Sequence, residues 1–236
     1  MTEINFQNLI GLSYQWPVQL DWSTAHHLIK GLRLASKPYP VSITEVEANF
    51  MMRHIIEKEY KSGFELATGL GISTLAIGLG MKETGGTLLT VDNYSEEQLQ
   101  IQPIGVPPEN AIWEDYPDCY RMFQILKAHF GLPVTQLMMS ATRIYQRLQS
   151  LEPISLISKF DFVFLDCPKD DNDLKRDLDG IFPFLAEKYT IFIHDSHCFT
   201  KVGEDYFVEK FGRLYDKIHT FGEVGQFFPL AMFCKD

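Results

Sequence analysis

The sequence has no basic cluster. Its 31 aspartates and glutamates outnumber 21 lysines and arginines, for a net charge of −10. Such a field repels phosphate, which argues against nucleic acid or an anionic membrane as a partner and leaves small neutral or cationic ligands open. Cysteine is scarce: Cys119, Cys167, Cys198 and Cys234 form no CxxC pair and no dense framework, which points to a reducing compartment. No apolar run is long enough to span a bilayer. The opening residues, MTEINFQNLIGLSYQWP, lack the basic region and apolar stretch of a signal peptide. Together these absences predict a cytoplasmic protein. No repeat, low-complexity tract or second domain is visible. The 236 residues, 45% hydrophobic, suffice for one domain with a sizeable core.

Two periodicities alternate along the chain. Residues 1–41 read as helical or irregular cover, and 42–236 as one domain. SITE at 42–45 fits a capping box, Ser42 with Glu45, opening a helix to about Tyr60 with Ile43, Val46, Phe50 and Ile55 on its apolar side. GFELAT (63–68), TLLTVD (87–92), VTQLMM (134–139), FDFVFLD (160–166) and YTIFIHD (189–195) read as strands. Helical spacing separates them, on Ile72–Leu79, Met122–Phe130, Ile144–Leu151 and Leu174–Leu185, with a further helix on Val202–Phe211. Residues 215–221 and 227–234, joined through Gly222 and Gly225, read as an antiparallel hairpin. This pattern predicts an α/β fold: a Rossmann-like, mostly parallel seven-stranded sheet with helices on both faces and a C-terminal antiparallel hairpin. Ligands of such sheets bind at the carboxyl ends of the strands.

The strand ends carry unusual residues. ELATGLGIST (65–74) places Gly69 and Gly71 before a helix whose free N–H groups suit an anionic group, and Ser73 and Thr74 add hydroxyls. A dinucleotide fingerprint would want glycine where Thr74 stands, so a tight turn with no ligand is the competing reading. Asp92 ends the second strand, where an acid suits ribose hydroxyls; the alternative is a capping aspartate. Asp166 ends the fourth strand in LDCPKD, with Lys169 three residues on. Asp195 ends the fifth, flanked by His194, Ser196 and His197.

ELATGLGIST, TLLTVD and FVFLD stand in the order and register of class I S-adenosylmethionine-dependent methyltransferases, and residues 42–236 resemble that family. LDCPKD and IFIHDSH resemble the metal-dependent catechol and caffeoyl-CoA type O-methyltransferases, and the small bacterial methyltransferases whose fifth strand ends in His-Asp. The resemblance implies S-adenosylmethionine as cofactor. It implies Glu65, Gly69, Gly71 and Ser73 at the methionine end, Asp92 and Asn93 at the ribose, Thr142 near the adenine and Asp166 beside them. It further implies Asp166, Asp195 and Ser196 as ligands of a divalent cation such as Mg²⁺, with Lys169 as general base. The family has asparagine where Ser196 stands, and serine is the poorer ligand.

Two carboxylates at neighbouring strand ends repel unless a proton or cation sits between them. A hard cation there would accept two substrate hydroxyls and fix the attacking oxygen. Without a metal, Asp166 is a structural or substrate-binding acid and Lys169 a surface lysine. His197 is a fourth ligand, a base for a metal-free reaction, or a hydrogen-bonded loop residue. Strand alternation points His194 away from Asp195. The group His194, His197, Cys198 and Cys167 fits no standard zinc spacing. The acidic run 170–179 reads as a helix N-terminus. Loop 93–117, with Trp113 and Tyr116, is a substrate lid or a plain insertion. The expected activity is methylation of a small-molecule hydroxyl. Its competitors are a metal-independent methyltransferase, a nucleotide-cofactor oxidoreductase and a non-catalytic binding module. The acceptor is a small molecule of unread identity, and a homodimer is left open.

Overall fold

A computed structural model describes residues 43, 45–69, 71–93, 123–124, 127–151, 159–166, 168, 170–221 and 227–235. Residues 1–41, Ser42 of the capping box, Cys119, Cys167, Lys169, the Gly222–Gly225 turn and nearly all of loop 93–117 lie outside them. The elements run α1 (Glu45–Glu57), β1 (Ser62–Leu66), α2 (Ile72–Thr84), β2 (Thr87–Asp92), β3 (Val134–Met138), α3 (Ala141–Leu151), β4 (Phe160–Leu165), α4 (Asp171–Ile181), β5 (Leu185–Ile193), α5 (Lys201–Phe211), β6 (Asp216–Phe221) and β7 (Phe227–Lys235).

The strands form one seven-stranded sheet in the order β3-β2-β1-β4-β5-β7-β6. β1 to β5 are parallel neighbours. β7 runs antiparallel to both β5 and β6, so the hairpin read from the sequence closes the sheet. Side chains alternate between two apolar layers, as the pleat requires. In β4, Phe162 and Phe164 join the layer built with α1 and α2. Val163 and Leu165 join the layer built with α3, α4 and α5. Helices therefore cover both faces.

α2 lies deepest: every residue from Ile72 to Met81 is buried. The sheet covers one side and α1 the other. At Gly80 a β-carbon would stand 3.1 Å from Ile55 Cβ, so the two helices touch where glycine leaves room. Gly85, at φ 72°, ends α2 with its N–H on the Lys82 carbonyl. Asp170 caps α4 by accepting from the N–H groups of Asn172 and Asp173, which accounts for the acidic run as a helix start.

One boundary differs from the sequence reading. The helix expected to reach Leu185 stops at Ile181, a 3₁₀ turn spans Phe182–Phe184, and β5 begins at Leu185 rather than Tyr189. Pro183 has no N–H to continue the helical ladder, and the apolar residues after it serve a strand as well as a helix.

Candidate active site

The ladder continues one residue past the strand ends. Met139 donates its N–H to the Asp92 carbonyl (2.9 Å), Ala67 to Val91 (2.8 Å), Asp166 to Leu66 (3.1 Å) and His194 to Leu165 (3.0 Å). These bonds set Asp92, Ala67, Asp166 and His194 side by side along the carboxyl edge. The backbone is unusual there. Ala67 (φ 81°), Gly69 (50°), Gly71 (83°) and Asp195 (54°) all adopt left-handed conformations. For the non-glycine residues this costs about 1–3 kcal/mol each, strain that surrounding structure must hold.

Glu65 anchors the turn. It has 0% exposure. Its Oε1 accepts from the Ser73 hydroxyl, and its Oε2 accepts from Thr74 and Thr90, all at 2.6 Å. Thr68 Oγ1 lies 2.6 Å from Thr90 Oγ1 and extends the network. Burial pushes the Glu65 carboxyl up to about 7, against the three hydroxyls that pull it down. The side chain thus ties the end of β1 to the first turn of α2 and to β2. Thr74, where a dinucleotide fingerprint would want glycine, carries one of these hydroxyls.

The two glycines differ. A β-carbon at Gly71 would stand 2.2 Å from the ring of Phe123, itself fully buried, so Gly71 makes room for a core phenylalanine. A β-carbon at Gly69 would meet no described atom within 4 Å. Above Gly69 the backbone N–H donates to Asp92 Oδ2 at 2.7 Å. Burial raises the Asp92 carboxyl to about 6, while the Gly69 and Asn93 N–H groups stabilise its charge.

At the ends of β4 and β5 stand Asp166, His194 and Asp195, whose candidate ligand atoms all lie within 4.8 Å of one another. His194 Nδ1 is 3.0 Å from Asp166 Oδ1 and 3.6 Å from Asp195 Oδ1. On its other side, Nε2 is 3.9 Å from Glu47 Oε2 of α1. Burial opposes charge on the imidazole, but the Asp166 carboxylate and its hydrogen bond, then Glu47 and Asp195, raise it to about 9. The donors suit a divalent cation. Two carboxylates offer hard oxygen, and an imidazole beside them favours a transition ion over Mg²⁺.

A nucleotide-type turn next to an acid pair, on a sheet of this order, matches the model of one family, described as Methyltransferase domain, over residues 64–196. The chain belongs to that family. No curated protein matches the methyltransferase's sequence. Solved structures do resemble it in fold. An O-methyltransferase from Bacillus cereus in complex with SAH is 14% identical with a TM-score of 0.58, over 97% of this chain and 96% of that one. The O-methyltransferase TomG from Streptomyces achromogenes, involved in tomaymycin synthesis and solved with SAM, is 13% identical with a TM-score of 0.65, over 98% and 97%. The SAH-bound methyltransferase PaMTH1 from Podospora anserina is 15% identical with a TM-score of 0.54, over 95% and 100%. The fold is that of class I S-adenosylmethionine-dependent methyltransferases. Among the described residues no helix is long and apolar enough to cross a membrane.

The methyltransferase brings together several residues singled out from sequence: Glu65 with Ser73, Gly69 with Asp92, and Asp166 with Asp195. Ser196 is 1% exposed in the 3₁₀ turn that follows Asp195. Asn93 is half-buried beside Asp92, and Thr142 is exposed at the start of α3. His197 is exposed, with Nε2 3.7 Å from Cys198 Sγ, outside the Asp–His–Asp group. The zinc grouping therefore does not assemble among the described residues.

His194 is the correction. Alternation pointed it away from Asp195, yet its ring lies between the two acids. β5 ends at Ile193, and Asp195 turns left-handed, so a two-residue repeat no longer applies. Glu47 was not singled out. Its signal was present: it falls in register with Ile43, Met51 and Ile55, an acid within an apolar helix face, and it is 0% exposed.

Proposed function

We propose that the methyltransferase moves the methyl group of S-adenosylmethionine to a hydroxyl of a small-molecule acceptor. One observation carries this reading: Asp166 and Asp195 converge at the sheet rim beside the Gly69–Asp92 turn, so acceptor-binding acids lie next to a nucleoside-type cradle. The SAH- and SAM-bound O-methyltransferases of like fold support the choice of cofactor and of oxygen as acceptor.

Each group has a task. Glu65 fixes the turn from beneath, while Gly69 leaves space above it. Asp92 fixes Gly69 and would accept from ribose hydroxyls of the bound cofactor. Asp166 and Asp195, with His194, would hold a divalent cation, which would lower the acceptor hydroxyl's pKa. The acceptor oxygen attacks the methyl carbon in line, and the S–CH₃ electron pair returns to sulfur to give S-adenosylhomocysteine. The acceptor's proton passes to Lys169. An anion and a sulfonium lose their charges together, so alignment and exclusion of water matter most.

A metal-independent form of the same reaction is favoured by two distances from one ring nitrogen. His194 Nδ1 lies 3.0 Å from Asp166 and 3.6 Å from Asp195, placing an imidazole beside both acids without an ion. Methyl transfer from labelled S-adenosylmethionine to a panel of phenols and vicinal diols, with EDTA and with Mn²⁺ or Mg²⁺ restored, tests both. Loss with EDTA and recovery with Mn²⁺ is expected. Full activity in EDTA selects the metal-independent form. If calorimetry detects neither S-adenosylmethionine nor S-adenosylhomocysteine binding, the reading fails.

A further inference from the structure

We infer that Glu47 is a positioning residue of the reaction centre, acting through His194 on the orientation of Asp166 and Asp195; this rests on the rim being that centre. α1 is otherwise an apolar helix on its inner side, where Ala48, Met51, Met52 and Ile55 are at most 1% exposed. A carboxylate with 0% exposure in that company carries a desolvation penalty that compensating contacts must offset. Its Oε2 stands at ion-pair distance, 3.9 Å, from His194 Nε2. The ring's other nitrogen meets Asp166 at 3.0 Å and Asp195 at 3.6 Å.

Acids from three elements therefore bracket one imidazole: Glu47 on α1, Asp166 after β4 and Asp195 after β5. Phe164 flanks the ring, 6.4 Å between centroids. What one ring nitrogen meets sets the orientation of the other, and removing such outer partners commonly weakens a site 10–100-fold. Burial divides the labour. The Glu47 side chain is 0% exposed, whereas those of Asp166 and Asp195 are 18% and 19% exposed. Glu47 anchors from inside, and the two aspartates keep surface for a ligand. The helix that precedes the matched family region thus becomes part of the reaction centre.

Nitrogen-15 NMR of the histidine rings, with ¹³C-labelled aspartate carboxyls, tests the link in the full chain. At one fixed pH, Glu47→Gln should move the His194 ring resonances, since it changes the group 3.9 Å from Nε2. It should also move the resonance of the Asp166 carboxyl, which meets the ring's other nitrogen. Met52→Ala, equally buried on α1, should leave both in place, and Glu47→Asp should shift both by less than Glu47→Gln does. An unchanged Asp166 carboxyl resonance in folded Glu47→Gln overturns the proposal. Where that variant does not fold, Glu47→Asp decides, since retreat of the acid by one methylene must move the same two signals in the same direction. Calorimetry with S-adenosylhomocysteine on the wild type separates the two claims. Absence of binding removes the methyltransferase reading of the rim, while the ring and carboxyl signals still decide Glu47.

Discussion

Gly69 and Gly71 stand two residues apart in one turn, and alanine at each should fail in a different way. At Gly71 the backbone φ is 83°, and the new methyl would stand 2.2 Å from Phe123 Cδ2. The left-handed conformation costs about 1–2 kcal/mol for a residue with a β-carbon. Pushing aside a phenylalanine that is fully buried adds about 1–3 kcal/mol. Gly71→Ala should therefore lose about 2–5 kcal/mol. At Gly69 φ is 50° and no described atom comes within 4 Å, so only the backbone term, about 1–2 kcal/mol, applies. A methyl there would enter the space assigned to the cofactor. Urea denaturation gives the two stabilities, and calorimetry gives the affinity for S-adenosylhomocysteine. Gly71→Ala should be the less stable variant. Gly69→Ala should stay folded and bind at least about tenfold more weakly, a loss near 1.4 kcal/mol. Equal destabilisation by both would refute the role given to Phe123. Undiminished affinity in Gly69→Ala would refute the placement of cofactor over the turn.

Other outcomes follow from the same network. Glu65 holds more protons folded than unfolded between pH 4.5 and about 7, so its contribution falls as pH rises through that window, by about 3 kcal/mol in all. The stability difference between wild type and Glu65→Gln should move by that amount between pH 4 and pH 8 in denaturation curves, against the wild type as pH rises. Thr74→Gly, which would restore the dinucleotide fingerprint, should instead cost about 2–4 kcal/mol, since it removes a hydroxyl from a buried carboxyl and puts glycine inside a helix. Asp170→Ala should cost about 1 kcal/mol in thermal unfolding, the usual loss for an N-cap, and leave S-adenosylhomocysteine affinity unchanged.

Much of the sheet was legible because strand and helix periods differ and because β4 and β5 are apolar runs that stop at an acid. Asp166 and Asp195 were found by that abrupt change, and parallel neighbours must share an edge. What failed depended on geometry at single residues. His194 was misplaced because φ at Asp195 cannot be read from an Asp-Ser pair. The start of β5 was misjudged because Leu185 fits either period. Phe123 showed as an apolar helix residue, but its contact with Gly71 joins positions 52 residues apart, and no local pattern encodes it. Glu47 was visible only as a charge in an apolar stripe, a signal whose meaning depends on what lies across the interface.

The burial of α2 on all sides has a consequence for how the chain folds. From Ile72 to Met81 its only polar side chains, Ser73 and Thr74, are bound to Glu65, so no face is fitted to water. The helix must be enclosed by β1, β2 and α1 as it forms, and any event that lifts α1 uncovers the side of α2 that packs on it around Gly80. Partial opening at that end should therefore lead to self-association rather than to reversible fraying, which makes the docking of α1 the step that protects the nascent protein from aggregation.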